Sequence, residues 1–281
     1  MALNIRPLLR NEMALAIDFA ALEGWNPGLH DAACFYAADP EGFMIAEMDG
    51  KPIGCIAAVR YEEHFGFIGF YVVAPPWRGK GIGLELWRAG MTRLTGRVIG
   101  LDGVLGQQDN YRRSGFSTAW QNARFASVTR AAGLGVSAQI VPLQSVKFDM
   151  VRADDRRVFP AARDSFLHAW LQMPDATGFA WMERRRLAGW GVIRRCREGH
   201  KIGPLVADNR DIAKGLYLAL CRSVPVDETV YLDIPLSNAK AVTLTQSLGM
   251  QRVFETARMY AGKRPAVEME RIFGITTFEL G

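Results

Sequence analysis

The chain has 281 residues, 49% of them apolar, and carries 34 basic and 29 acidic side chains for a net charge of +5. That size and apolar fraction suit one large or two ordinary cores and exclude a disordered chain. No apolar run approaches the ~20 residues that a membrane-spanning helix needs, and "MALNIRPLLRNEM" lacks a signal-peptide layout, so a soluble cytoplasmic protein without a membrane partner is expected.

In chain order, a strand is expected near Ile5, then an apolar-periodic helix over residues 13–22 and strands over 43–47, 52–60 and 67–73. A helix then opens directly from the glycine-rich loop that begins at Arg78. Leu84, Trp87, Met91 and Leu94 recur at spacings of three and four, which buries one face of it. A strand over 98–101, a short helix over 110–113 and a strand over 119–125 close this unit. The small, polar, glycine-bearing stretch "SVTRAAGLGVSAQI" places a linker at residues 129–140, between domains 1–128 and 141–281. The tail "FGITTFELG" reads as a final strand of the second unit.

An internal repeat supports that division. At a constant offset of 134, Ile68-Gly69 falls on Ile202-Gly203, Lys80-Gly81 on Lys214-Gly215, Gly115-Phe116 on Gly249-Met250, and Ala123-Arg124 on Ala257-Arg258. Between these points "GLDGV" at Gly100 resembles "YLDIP" at Tyr231 with the register shifted by three residues. Several matches in one order indicate a duplicated domain.

Charge is uneven between the copies. Residues 1–140 hold 13 basic and 13 acidic side chains, and residues 141–281 hold 21 and 16. Six arginines lie between Arg184 and Arg197. With no nucleic-acid motif around them they read as a solvated or interface-forming run, and no nucleic-acid partner is expected. The four cysteines form no C-x-x-C pair and the four histidines show no ligand spacing, so neither disulfides nor a metal is expected.

The loop "RGKGIG" follows a strand and a proline turn and opens a helix, so its backbone N–H groups point outward at the positive end of the helix dipole. This is an anion cradle, to which Arg78 and Lys80 add charge. It fits neither a P-loop nor a dinucleotide fingerprint. It resembles the acetyl-CoA pyrophosphate loop of GNAT-type N-acetyltransferases, [Q/R]-x-x-G-x-[G/A], here Arg78, Gly79, Lys80, Gly81, Ile82 and Gly83. "YRRSGF", 28 residues on from Gly83, resembles the family's Y-x-x-x-G-[FM] and places Tyr111 where the usual general acid sits.

The resemblance implies two tandem GNAT-like domains of α/β (α+β) class, each a mixed, mostly antiparallel sheet with a splayed central strand pair flanked by helices. It implies transfer of an acetyl group from acetyl-CoA to the primary amine of a small molecule. Backbone groups of Tyr71, Val72 and Val73 would bind the pantetheine arm and polarise the thioester, and Tyr111 would protonate the leaving thiolate.

For the base, Asp102 is the first candidate, the alternative being a turn aspartate in Asp-Gly. Glu23, in the aromatic loop "EGWNPGLHD", is the second, the alternative being a helix end at Gly24.

The second copy departs from the pattern. It keeps Asn238, Ala241, Leu244 and Gly249 but has Thr245 in place of the tyrosine. Read at offset 134, its loop has Ile212, Ala213 and Tyr217 where the arginine and two glycines stand, with Asp208 and Asp211 nearby. Only the first domain is therefore expected to bind acetyl-CoA. A CoA-binding sensor without chemistry, or an RNA- or peptide-binding protein using the arginine run, are the alternatives.

Overall fold

Both copies of the repeat fold into one element order in the computed structural model, which describes residues 2–130 and 137–281. The first copy comprises β1 (Leu3–Pro7), α1 (Met13–Leu22), α2 (Asp31–Ala38), β2 (Phe43–Met48), β3 (Lys51–Tyr61), β4 (Phe65–Val73), α3 (Ile82–Arg93), β5 (Val98–Val104), α4 (Gln108–Arg113) and β6 (Phe116–Val128). The second comprises β7 (Ile140–Pro142), α5 (Phe148–Val158), α6 (Asp164–Leu171), β8 (Ala176–Glu183), β9 (Arg186–Arg195), β10 (His200–Ala207), α7 (Arg210–Cys221), β11 (Thr229–Pro235), α8 (Ala239–Ser247), β12 (Gln251–Ala261) and β13 (Ile272–Gly274). Helix α2 was not expected from the sequence. Residues 131–136 of the expected linker lie outside the described residues.

The described strands form one mixed sheet in the order β1-β2-β3-β4-β5-β12-β6-β11-β10-β9-β8-β7, with β13 added on β10. Only β4–β5 and β10–β11 are parallel. The last strands are exchanged: β6 lies between β12 and β11, and β12 lies between β5 and β6. Each copy therefore completes the other's sheet.

Each exchanged strand brings an arginine to an aspartate of the other copy. In the register, Arg258 of β12 stands opposite Asp102 of β5, and Arg124 of β6 opposite Asp233 of β11. Both pairs are buried and two-pronged, with Arg258 donating to Asp102 at 2.7 and 2.6 Å and Arg124 to Asp233 at 2.7 and 2.8 Å. An unpaired charge at either place would be costly, so each pair stabilises the strand pairing in which it stands.

Helices cover both faces. One apolar core gathers α1, α2, α5 and α6 and crosses from copy to copy, with Phe35 stacked on Trp170 at 6.3 Å. On the other face α3 packs over β2–β4 through Ile82, Leu86 and Trp87, and α7 and α8 form a separate core. Among the described residues no helix is long and apolar enough to cross a membrane.

The tail differs from the expected strand. Only Ile272–Gly274 pairs, with β10. Beyond it the Thr277 hydroxyl accepts from the Glu279 and Leu280 N–H groups at 2.8 and 3.4 Å, closing a turn that carries the chain across to the first copy. There Tyr61 donates to the Leu280 carbonyl at 3.1 Å and Arg163 to that of Gly281 at 3.1 Å.

Candidate active site

Strands β4 and β5 pair only as far as Ile68 and Leu101. Just beyond, β4 holds one extra residue against β3, where Cys55 pairs with Val72 but Ala57 with Gly69. Phe70 takes a left-handed φ of 47° there, and a non-glycine residue in that region is held by its surroundings at a cost of about 1–3 kcal/mol. The bulge and the lost pairing splay the two strands. A cavity of about 420 Å³ opens between them, lined by backbone and side chains from Ile68 to Val73 and from Leu101 to Val104.

The glycine loop meets this cavity. Gly79 and Gly81 have φ of 74° and 82°, conformations that L side chains rarely adopt, and a Cβ at either would meet open space. Gly81 is the N-cap of α3 and gives it no side-chain cap, so the first N–H groups remain available to an anion. Arg78 donates to the Val73 carbonyl at 2.7 Å and is paired with Glu23, at the cavity mouth. Lys80 lies 4.8 Å over the Trp77 ring. Val72 and Ile82 are buried in the core. These residues fit a pyrophosphate and its pantetheine arm.

Tyr111, on α4, lines the same cavity and packs on Trp87 at 5.4 Å, as does Tyr71 from the opposite strand. Burial, then the neighbouring Tyr71, pushes the Tyr111 phenol up to about 12, so it remains a proton donor across the neutral range. Asp102 is in the wall with both oxygens engaged, one by Arg258 and by Asn122 at 2.7 Å, the other by Arg258 alone. Burial lifts its pKa and Arg258 works against that. Glu23 is likewise held by Arg78. The structure thus brings the sequence candidates to one cavity except Lys80, Gly81 and Ile82, which are not in its wall, and both carboxylates arrive with an arginine.

The other end of the cavity comes from residues that the sequence reading did not single out for the site: Trp25, Arg124, Phe254, Thr256, Phe278 and Glu279. Phe254 belongs to the exchanged β12, and Phe278 and Glu279 to the tail. One signal was present. A glycine inside a strand marks close approach by another backbone, and a Cβ on Gly69 would fall on the Glu279 carbonyl oxygen.

At the equivalent splay of the second copy the described residues close the gap. Strands β10 and β11 also part, after Ile202 and Leu232, but β13 and the following chain fill the gap. Gly274 packs on Leu205 and Leu232, and Ile275 donates to the Asp233 carbonyl at 2.7 Å. Helix α7 begins at Arg210, so Ile212, Ala213 and Tyr217 are buried helix residues, and the offset of 134 does not hold across this loop. Asn209 caps that helix by accepting from Ile212 N–H at 3.0 Å, while Asp208 is held by Arg186 and Arg271.

Three of the six arginines of the run are engaged internally. Arg194 is buried on Asp31 at 2.7 Å, 4.4 Å from the Trp170 ring centre, Arg186 bonds Asp208 and Glu183, and Arg197 pairs with Asp18.

Two family models match along the chain, an acetyltransferase (GNAT) family over residues 10–116 and an acetyltransferase (GNAT) domain over residues 151–274. The chain belongs to the GNAT acetyltransferase family. Its two GNAT units are in tandem, the second diverged. Over 276 residues it is 29% identical to the holothin acyltransferase of Pseudoalteromonas sp. (strain SANK 73390), covering 98% of this chain and 94% of that one. Among solved GNAT structures, a Pyrococcus horikoshii protein whose acetyltransferase assignment is provisional superposes with a TM-score of 0.84 at 20% identity, covering 99% and 96% of the two chains. A tandem GNAT protein from the clavulanic acid biosynthesis pathway gives 0.65 at 14% identity, covering 94% of this chain and 100% of that one.

Proposed function

We propose that the protein is an N-acyltransferase that moves an acetyl group from acetyl-CoA to a primary amine of a small molecule, with one donor site per chain, in residues 1–128. The observation that carries this reading is the contrast between the two splays. The first is open beside an uncapped, glycine-lined helix N-terminus, whereas the second is filled by the chain itself. In this reading residues 141–281 supply walls of the acceptor site rather than a second donor site.

The thioester supplies an activated acyl carbon. The protein's own part is to hold and orient it. Gly79, Lys80, Gly81, Ile82 and Gly83 offer N–H groups to the pyrophosphate, with Arg78 turning to it from Glu23. Backbone groups of Tyr71, Val72 and Val73, released from β5 by the splay, hold the arm and the acyl oxygen. Tyr111 gives its proton to the departing sulfur.

Calorimetric titration with acetyl-CoA is expected to give one site per chain. Arg78→Ala combined with Gly81→Glu should weaken it about 100-fold, since a charge-assisted contact is lost and a carboxylate is placed at the positive helix end. Two sites would refute the division of labour, and no binding would refute the acyltransferase reading. For Tyr111→Phe, kcat should fall about 100-fold with acetyl-CoA affinity unchanged, the usual loss for a proton donor. A variant with full kcat would remove Tyr111 from the chemistry.

A further inference from the structure

Glu279 lines the cavity without a cation of its own. Its residue is 3% exposed, its carboxylate accepts from the Thr277 hydroxyl, and among the described residues no Lys, Arg or His nitrogen forms an ion pair with it. The charged groups that face it are Asp102 on β5, Arg124 on β6, Arg194 on β9 and Lys201 on β10, with Asp233 on β11 behind Arg124. Asp102 is matched by Arg258, Arg124 by Asp233, and Arg194 by Asp31. Lys201 is not in the cavity wall; its ammonium donates to the Asn26 carbonyl at 3.0 Å, and burial drives its pKa down. Glu279 therefore has no ion-pair partner at the cavity wall among the described residues, and a buried carboxylate is stable as an anion only when a cation or donors complete it.

The surrounding walls are aromatic. Phe254 and Phe278 stand 6.3 Å apart, tilted by 44°, and Trp25 lines the same end. Arg124 lies over both phenylalanine rings, 5.7 and 5.4 Å from their centres, and its three nitrogens are already directed to Asp233 and the Trp25 carbonyl. The acceptor end thus offers one carboxylate, flat apolar surfaces and no uncommitted cation.

We infer, resting on the acyltransferase reading, that the acceptor is an aralkylamine, a primary amine carried on a flat apolar ring body with no acidic group, and that Glu279 receives its ammonium. An amino acid would set its carboxylate beside Glu279 with Arg124 already engaged. A polyamine would bring second and third charges into an aromatic slot, and an amino sugar would turn hydroxyls onto the rings. In the transfer, Glu279 takes one proton from the ammonium and the freed nitrogen forms a C–N bond to the acyl carbon as its C–S bond breaks. The sulfur leaves with the electron pair of that bond and is protonated by Tyr111. Loss of the second N–H proton from the nitrogen to solvent leaves a neutral amide, and Glu279 and Tyr111 regain their starting states by exchange with solvent.

Three probes separate these classes: phenethylamine, spermidine and glucosamine, each with acetyl-CoA and CoA release as the readout. Phenethylamine is expected to exceed both others in kcat/KM by about tenfold or more, and Phe278→Ala to remove most of that preference. Glu279→Gln, which keeps the shape, should lower kcat about 100-fold while acetyl-CoA binding is unchanged. Faster turnover of spermidine or glucosamine would overturn the inference, as would a Glu279→Gln enzyme with wild-type rate. If no amine releases CoA, the acyltransferase reading fails by itself. Calorimetry with phenethylamine then decides the acceptor site: binding that disappears in Glu279→Gln supports it, and no binding overturns it.

Discussion

Replacing Asp233 with asparagine is expected to destabilise the protein by about 3–5 kcal/mol, the cost of leaving a buried partner charge alone. The partner is Arg124, whose side chain is 5% exposed against 1% for Asp233. The amide can accept one hydrogen bond, but it cannot neutralise the guanidinium. Burial by itself would raise the Asp233 pKa; Arg124, then Lys201 and Arg194, bring it below the ordinary value of 3.8. A carboxyl depressed in the folded state contributes stability that is present above its unfolded pKa and is lost as pH falls through the folded one. The gap between wild type and Asp233→Asn should therefore hold at neutral pH and close as pH drops below 3.8. Urea denaturation at several pH values reads both effects. Removing both charges, as Arg124→Met with Asp233→Leu, should cost less than the single change, because no ion is left stranded. An unchanged denaturation midpoint for Asp233→Asn would refute the claim that this pair holds the exchanged strands.

The mirror pair behaves differently for a reason that concerns function. Asp102 occupies the equivalent place on β5, yet its pKa is lifted by burial, with Glu279 and Asp233 adding to the lift against Arg258. Asp233 instead faces Lys201 and Arg194. A duplicated ion pair thus sits in a negative surrounding beside the open cavity and in a positive one behind it.

Much of this was legible before any coordinates. Outside the glycine loop the matches at offset 134 mark equivalent structure: Ile68 and Ile202 are the last paired residues before each splay, and Arg124 reaches the aspartate of "YLDIP" and Arg258 that of "GLDGV". The glycine loop and Tyr111 fall on one cavity because local patterns set both the helix start and the short helix α4. The strand exchange was not legible, since β6 shows the same alternation whichever strand it joins, and its partner is set by contacts far away in sequence. The tail was misread for a local reason: "ITTFEL" is rich in β-branched and aromatic residues, but the Thr277 hydroxyl diverts the backbone into a turn. Glu279 was missed with it.

Gly69→Ala should reveal how much of the site that tail supplies. The added methyl would fall on the Glu279 carbonyl oxygen and lie 2.8 Å from its carbonyl carbon. Both are backbone, so no side-chain rotation relieves the clash. Gly69 itself lies between the last β4–β5 pair and the bulge, and it is held there by β3. The tail is the element that must yield, and its displacement moves Phe278 and Glu279 together. A shift of about 1 Å in positioning groups commonly costs about 100-fold in rate, and kcat/KM should fall by that order while acetyl-CoA affinity holds. Overpacking should also cost about 1–3 kcal/mol of stability. Gly203→Ala provides the control from the repeat. Its methyl would press on the carbonyl oxygens of Ile275, at 2.7 Å, and Thr276, so it strains the same tail where the second splay is filled. A comparable loss of stability with a smaller loss of kcat/KM is expected there, because Gly203 lies outside the cavity wall. Equal losses of rate in the two variants would show that the tail acts on the fold as a whole; a Gly69→Ala protein with wild-type kcat/KM would show that it does not shape the acceptor site.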